Sequence, residues 1–144
     1  MLALYIAALA ALFAPARDVT TFANAVGRAA SNVAPLFKDD VDRKKTVSLL
    51  TAIGYRESSF RMNAVSATND YCYFQVHGRP ELAEDPDACA RVAIEMLRES
   101  MRACPEHPVA FYASGPGGCT NLRAQRISRD RMSLAAWAAR QVRP

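Results

Sequence analysis

Glu57 is the residue whose place in the sequence best suits acid–base chemistry. Counting back from it in helical steps reaches Ile53, Leu50 and Thr46, so it closes a largely apolar stripe and does not lie on a solvated face. Burial penalises a charged carboxylate and raises its pKa, and a carboxyl kept protonated near neutrality can give its proton to a leaving group. Read without chemistry, the same residue pairs with Arg56 or Arg61, or caps its turn through Ser58 and Ser59. Asp70 is the nearest further carboxylate that could activate a water on the opposite face of a substrate, and it reads equally well as a turn residue after Asn69. Neither His77 nor His107 stands at ligand spacing to the other or to these carboxylates, so no metal site and no cofactor is expected.

The elements that must carry these groups are mainly helical. Phe22, Val26, Ala29 or Ala30 and Val33 form one stripe, capped near Asp18 or Thr20 and stopped by Pro35. The helix that bears Glu57 begins after Asp39 or Asp40 and runs through Val47, Leu50 and Ile53. Turn-forming residues take over from Phe60 to Asp70, and the aromatic run from Tyr71 to Val76 predicts a short strand ahead of a turn at Gly78, Arg79 and Pro80. Asp85 and Pro86 open a helix with Ala90, Ala93, Ile94, Leu97 and Met101 on its inner face, ending near Cys104. Met96 and Met101 read as core filler. A short helix from Pro108 through Tyr112 stops at Gly115–Gly118, and the Arg-rich segment with Leu134 and Trp137 is the last.

Cys72, Cys89, Cys104 and Cys119 contain no CxxC spacing. Cys89 and Cys104 lie at opposite ends of one expected helix, ~22 Å apart at 1.5 Å per residue, whereas a disulfide tolerates a Cα separation of about 7 Å. Of the two remaining schemes, Cys72–Cys89 with Cys104–Cys119 closes the shorter segments. Two disulfides point to an oxidising compartment, with free buried thiols as the bland alternative.

A chain of 144 residues, 51% hydrophobic and 22% charged, is one globular domain with a substantial core; disorder, collagen and a polytopic membrane protein are excluded. Charge is uneven: from Asn121 onward six arginines face one aspartate, so that segment carries +5 and the remainder −1. Such a face is either simply solvated or able to concentrate an anionic polymer. The arginines lack interleaved aromatic residues and Trp137 reads as core, so no nucleic acid is expected. Residues 1–16 form a hydrophobic segment ending in Ala14, Pro15 and Ala16, which reads as a secretory signal ahead of a 17–144 domain. Leu2, Tyr5, Ile6, Leu9, Leu12 and Phe13 also recur at helical spacing and fit a first packed helix. The segment is too short for an ordinary membrane span.

Residues 52–66, AIGYRESSFRMNAVS, closely resemble the catalytic segment of the soluble lytic transglycosylases and goose-type lysozymes, in which the Glu before Ser is the acid. Tyr73, Phe74 and Gln75 resemble the family's Gly-Leu-Met-Gln stretch, and Tyr112 to Gly115, YASG, resembles its Tyr-Asn-Ala-Gly motif. Cys72 stands in place of the glycine of the second motif and Ala113 in place of the asparagine of the third.

The resemblance implies a lysozyme-like α+β fold with one short β-hairpin beside the cleft. It also implies cleavage of peptidoglycan glycan strands between N-acetylmuramic acid and N-acetylglucosamine. Glu57 would protonate the bridging oxygen and then take back a proton as the 6-hydroxyl closes a 1,6-anhydro ring. Ser58, Tyr73 and Gln75 would contact sugar, and Tyr112 would orient Glu57. Two alternatives stand beside this: a hydrolytic goose-type muramidase using Asp70, and a non-catalytic cell-wall-binding or virion structural module. In each the chain is expected to act as a monomer in the periplasm, outside the cell or on a virion.

Overall fold

The computed structural model describes residues 1–143. Six α-helices and one two-stranded antiparallel hairpin make a mainly helical α+β fold. The helices are α1 (Leu2–Phe13), α2 (Thr20–Ser31), α3 (Lys44–Ser58), α4 (Pro86–Ala103), α5 (Ala110–Ser114) and α6 (Leu122–Gln141). The strands are β1 (Asp70–Tyr71) and β2 (Val76–His77), and 3-10 turns occupy Pro80–Glu84 and Gly115–Thr120.

The helix carrying Glu57 is the central post. Every residue of α3 from Thr46 to Gly54 is buried, as expected of a helix surrounded on all sides, here by α1, α2 and α6. Its polar residues satisfy themselves locally: Ser48, Thr51 and Ser58 hydroxyls donate to the carbonyls of Lys44, Val47 and Gly54 at 2.7, 2.7 and 3.0 Å. The helix starts later than Asp40, yet Asp40 still caps it. Its buried carboxylate accepts from the Lys45 and Thr46 amides at 2.9 and 2.7 Å, across an intervening left-handed residue, Arg43. At the far end Ser59 and Phe60 are both left-handed, which reverses the chain directly after Glu57 and Ser58 and drops Phe60 into the core against Phe22. Gly54 permits this packing, because a Cβ there would stand 2.6 Å from the Phe22 ring.

Residues 1–16 are not set apart from the rest. Most of them form α1, whose Ile6, Leu9 and Ala10 are fully buried against α2 and α3, and Phe13 stacks on Tyr55 with centroids 5.0 Å apart. Of the two readings of this segment, the packed first helix is the one folded here. No helix among the described residues is long and apolar enough to cross a membrane.

The expected starts and stops hold for α4 and α6, where Asp85 and Asn121 accept from the amides of Ala88 and Ala124, each at 3.0 Å. α2 ends at Ser31, so Val33 lies beyond it. The run from Tyr71 to Val76 is not one strand but the two arms and turn of the hairpin, with Asp70 opposite His77 and Tyr71 opposite Val76. Cys72 and Gln75, with φ of 64° and 51°, bend the chain between the arms. Both expected disulfides are present, Cys72–Cys89 and Cys104–Cys119, with Cα separations of 6.3 and 5.4 Å. The first ties the hairpin turn to α4 and the second ties the Gly115–Thr120 turn to the residue after α4. Trp137 is not core: it is 41% exposed and lies over Phe13.

Candidate active site

Glu57 emerges from the last turn of α3 into a cavity of about 800 Å³. The hairpin contributes Asp70, Gln75 and His77 to its lining, the preceding loop Ser66 and Thr68, α4 Met96 and Glu99, and α5 the run from Phe111 to Ser114, followed by Gly115. A smaller cavity of about 340 Å³, lined by Val76, Arg79, Val92 and Glu95, shares His77, Met96 and Glu99 with the first. The depression therefore continues past the hairpin along α4 as a groove. Met96 borders both parts of it and is not the buried filler that its spacing predicts.

The Glu57 side chain keeps about a quarter of its exposure. Burial pushes its carboxyl above the ordinary glutamate value, and Asp70 adds to the rise, while Arg131 opposes it. Arg131 comes from α6, its Nη2 3.7 Å from Glu57 Oε1. Its Nη1 is held at 2.6 Å by Asp130, and its buried Nε has no partner. Sequence reading placed Arg131 in a cationic tail. Arg123, Arg126, Arg129, Arg140 and Arg143 are indeed exposed, and Arg131 is the one that turns inward.

Asp70 is firmly held. One carboxylate oxygen accepts from the hydroxyls of Ser66 and Thr68, both at 2.5 Å, and the other lies 3.1 Å from His77 Nδ1. Partial burial raises its pKa, but these three donors outweigh that and hold the carboxyl below the usual aspartate range. Sequence reading took His77 for a turn residue. The structure makes it the partner of Asp70, with the imidazole largely exposed to the cavity.

The remaining expected contacts divide. Gln75 lines the cavity, but its amide nitrogen donates to the Ala64 and Cys72 carbonyls, both at 2.9 Å, so it also fastens the loop beneath. Tyr112 lines the cavity with its hydroxyl donating to the Phe74 carbonyl at 2.6 Å, which joins α5 to the hairpin turn and leaves no proton to direct at Glu57. Burial, and then the charge of nearby Glu57, raise the Tyr112 phenol well above its ordinary value. Ser58 and Tyr73 do not reach the cavity. Ser58 is buried and back-bonded to Gly54, because it lies about 100° around the helix from Glu57. Tyr73 packs edge-on against Phe22 in the core. Cys72 is fully buried in a left-handed conformation that glycine adopts freely, and the bond to Cys89 holds it there. Ala113 borders the cavity as a small apolar wall.

No family model matches the chain, nor does any curated protein or solved structure. The chemistry of the site is therefore argued from its own geometry. A carboxyl with raised pKa, an anchored Asp–His pair and a groove open along α4 are parts suited to proton transfer on an extended polar substrate. Among the described residues no three His, Cys, Asp or Glu side chains are gathered as a metal site.

Proposed function

We propose that the protein is a peptidoglycan lytic transglycosylase that cuts the bond between N-acetylmuramic acid and N-acetylglucosamine, with Glu57 as the general acid. The observation that carries this reading is Glu57 itself: a carboxyl with raised pKa at the end of an apolar stripe, facing a groove long enough for more than one sugar. The segment AIGYRESSFRMNAVS and the YASG run, all of which borders the cavity, are the parts of the sequence that resemble lytic transglycosylases. Glu57 delivers its proton to the bridging oxygen as the anomeric carbon takes on oxocarbenium character, and the 6-hydroxyl of the muramyl residue closes the anhydro ring.

Two disulfides fit a chain that works in an oxidising compartment, and this reading places it in the periplasm, outside the cell or on a virion. The exposed arginines of α6 offer a surface for anionic wall polymers. A hydrolytic muramidase with Asp70 as base has less support, since both Asp70 oxygens are already engaged and its lowered pKa makes it a weak proton acceptor. Mass spectrometry of muropeptides from purified sacculi separates the readings. Anhydro products from the wild type and none from Glu57→Gln support the transglycosylase. Free reducing ends point to the hydrolase, and intact sacculi to a binding module.

A further inference from the structure

The carboxylate that Glu57 becomes after giving up its proton is poorly placed to take another. It stands beside the Arg131 guanidinium, which favours the charged form. Asp70 is no better, because its oxygens are occupied by Ser66, Thr68 and His77. The third proton-handling group in the cavity is His77. An ionised Asp70 can only accept, so the ring nitrogen at 3.1 Å, Nδ1, must carry the proton. The neutral ring then has its lone pair on Nε2. Asp70 is itself fixed by two hydroxyls, so the ring is aimed by a rigid pair and not by a mobile surface contact. Imidazole is also the side chain suited to accept and return a proton near neutrality.

We infer that the Asp70–His77 pair is the base of this site, His77 Nε2 taking the proton of the attacking hydroxyl while Asp70 orients the ring. The inference rests on the glycan-cleavage reading and divides between two residues the roles that the family resemblance gives to Glu57 alone. In the step, the bond from the anomeric carbon to the bridging oxygen breaks with its electron pair remaining on oxygen, which receives the Glu57 proton. The 6-hydroxyl oxygen bonds to the anomeric carbon and its proton passes to His77. The resulting imidazolium donates to Asp70 from Nδ1 and loses its new proton to solvent, from which Glu57 recovers one.

The test compares wild type, His77→Ala and Asp70→Asn on purified sacculi, with circular dichroism and thermal melting as folding controls and free imidazole added to each. The expected result is a loss of about 100-fold in kcat for His77→Ala with KM nearly unchanged, the range typical for removal of a general base. Added imidazole, which the open cavity admits, should restore at least tenfold. Asp70→Asn should lose activity that imidazole does not restore, since its histidine is still present. A folded His77→Ala with wild-type kcat, or one that imidazole fails to rescue, overturns the inference and leaves Glu57 chemistry standing. A wild type that leaves sacculi intact overturns the glycan-cleavage reading and this inference with it.

Discussion

Glu57 and Arg131 face each other between α3 and α6 at 3.7 Å, and one position back on each helix Arg56 and Asp130 form the reverse pair, two contacts of 3.1 Å. Adjacent residues of one helix thus meet adjacent residues of the other with their charges exchanged. Asp130 also holds Arg131 at 2.6 Å, so the guanidinium is shared and its pull on Glu57 is moderated. The acid is set by opposed influences: burial favours the neutral form and Arg131 the ionised one.

Replacing Arg131 by Met removes the opposing influence. The Glu57 carboxyl should then remain protonated to higher pH, and the alkaline limb of the pH–rate profile on sacculi should move upward. Arg131→Lys should leave the limb near its wild-type position. An Arg131→Met limb that stays put or moves down would show that the guanidinium does not govern the acid.

Asp70 gives an opposite linkage. Its folded carboxyl titrates below the unfolded one, so the stability it lends is complete above the unfolded pKa and is lost as pH falls through the folded value. Asp70→Asn should cost about 1–2 kcal/mol at pH 7, the scale of hydrogen bonds to a charged group. Melting curves of variant and wild type should converge in acid. A gap that is constant from pH 7 to pH 2 would count against the carboxylate's hydrogen bonds as its source.

The first helix belongs to the core. Leu9 is fully buried and Leu4 is 79% exposed on the same helix. Urea unfolding should show Leu9→Ala losing about 2–5 kcal/mol and Leu4→Ala within about 0.5 kcal/mol of wild type. Equal, negligible effects would mean that residues 1–16 do not take part in the fold.

Much of this architecture was legible because helices announce themselves twice, by stripe and by cap. Asp85–Pro86 marked the start of α4, and the length of that helix alone excluded a Cys89–Cys104 bond. The hairpin turn was not legible, since its left-handed residues are Cys72 and Gln75 and neither signals a bend as glycine would. Motif neighbours misled for a related reason. Ser58 adjoins Glu57 in sequence but points elsewhere around the helix, and Tyr73 adjoins the cavity-lining stretch but faces Phe22. Arg131 lies 74 residues from Glu57. Its one trace in the sequence is that the arginine spacing of 123, 126 and 129 breaks there, turning that side chain to another face of α6. His77 became informative only when the hairpin register set it opposite Asp70.

Each disulfide closes a segment of comparable length, 17 and 15 residues, so removing either pair by Cys→Ser should cost about 3 kcal/mol in thermal or urea unfolding. The Cys72/Cys89 double variant should also cleave sacculi more slowly than the Cys104/Cys119 one, because it frees the turn that carries Gln75 between Asp70 and His77. The reverse order of activities would mean that the hairpin holds its shape without the bond.

The central claim is that the fold keeps the Glu57 carboxyl protonated beyond the ordinary range. Carbon-13 NMR titration of that carboxyl in the wild-type protein, assigned by its loss in Glu57→Gln, measures this directly. The account predicts a midpoint above the model glutamate value of 4.5. A midpoint at or below that value would contradict it.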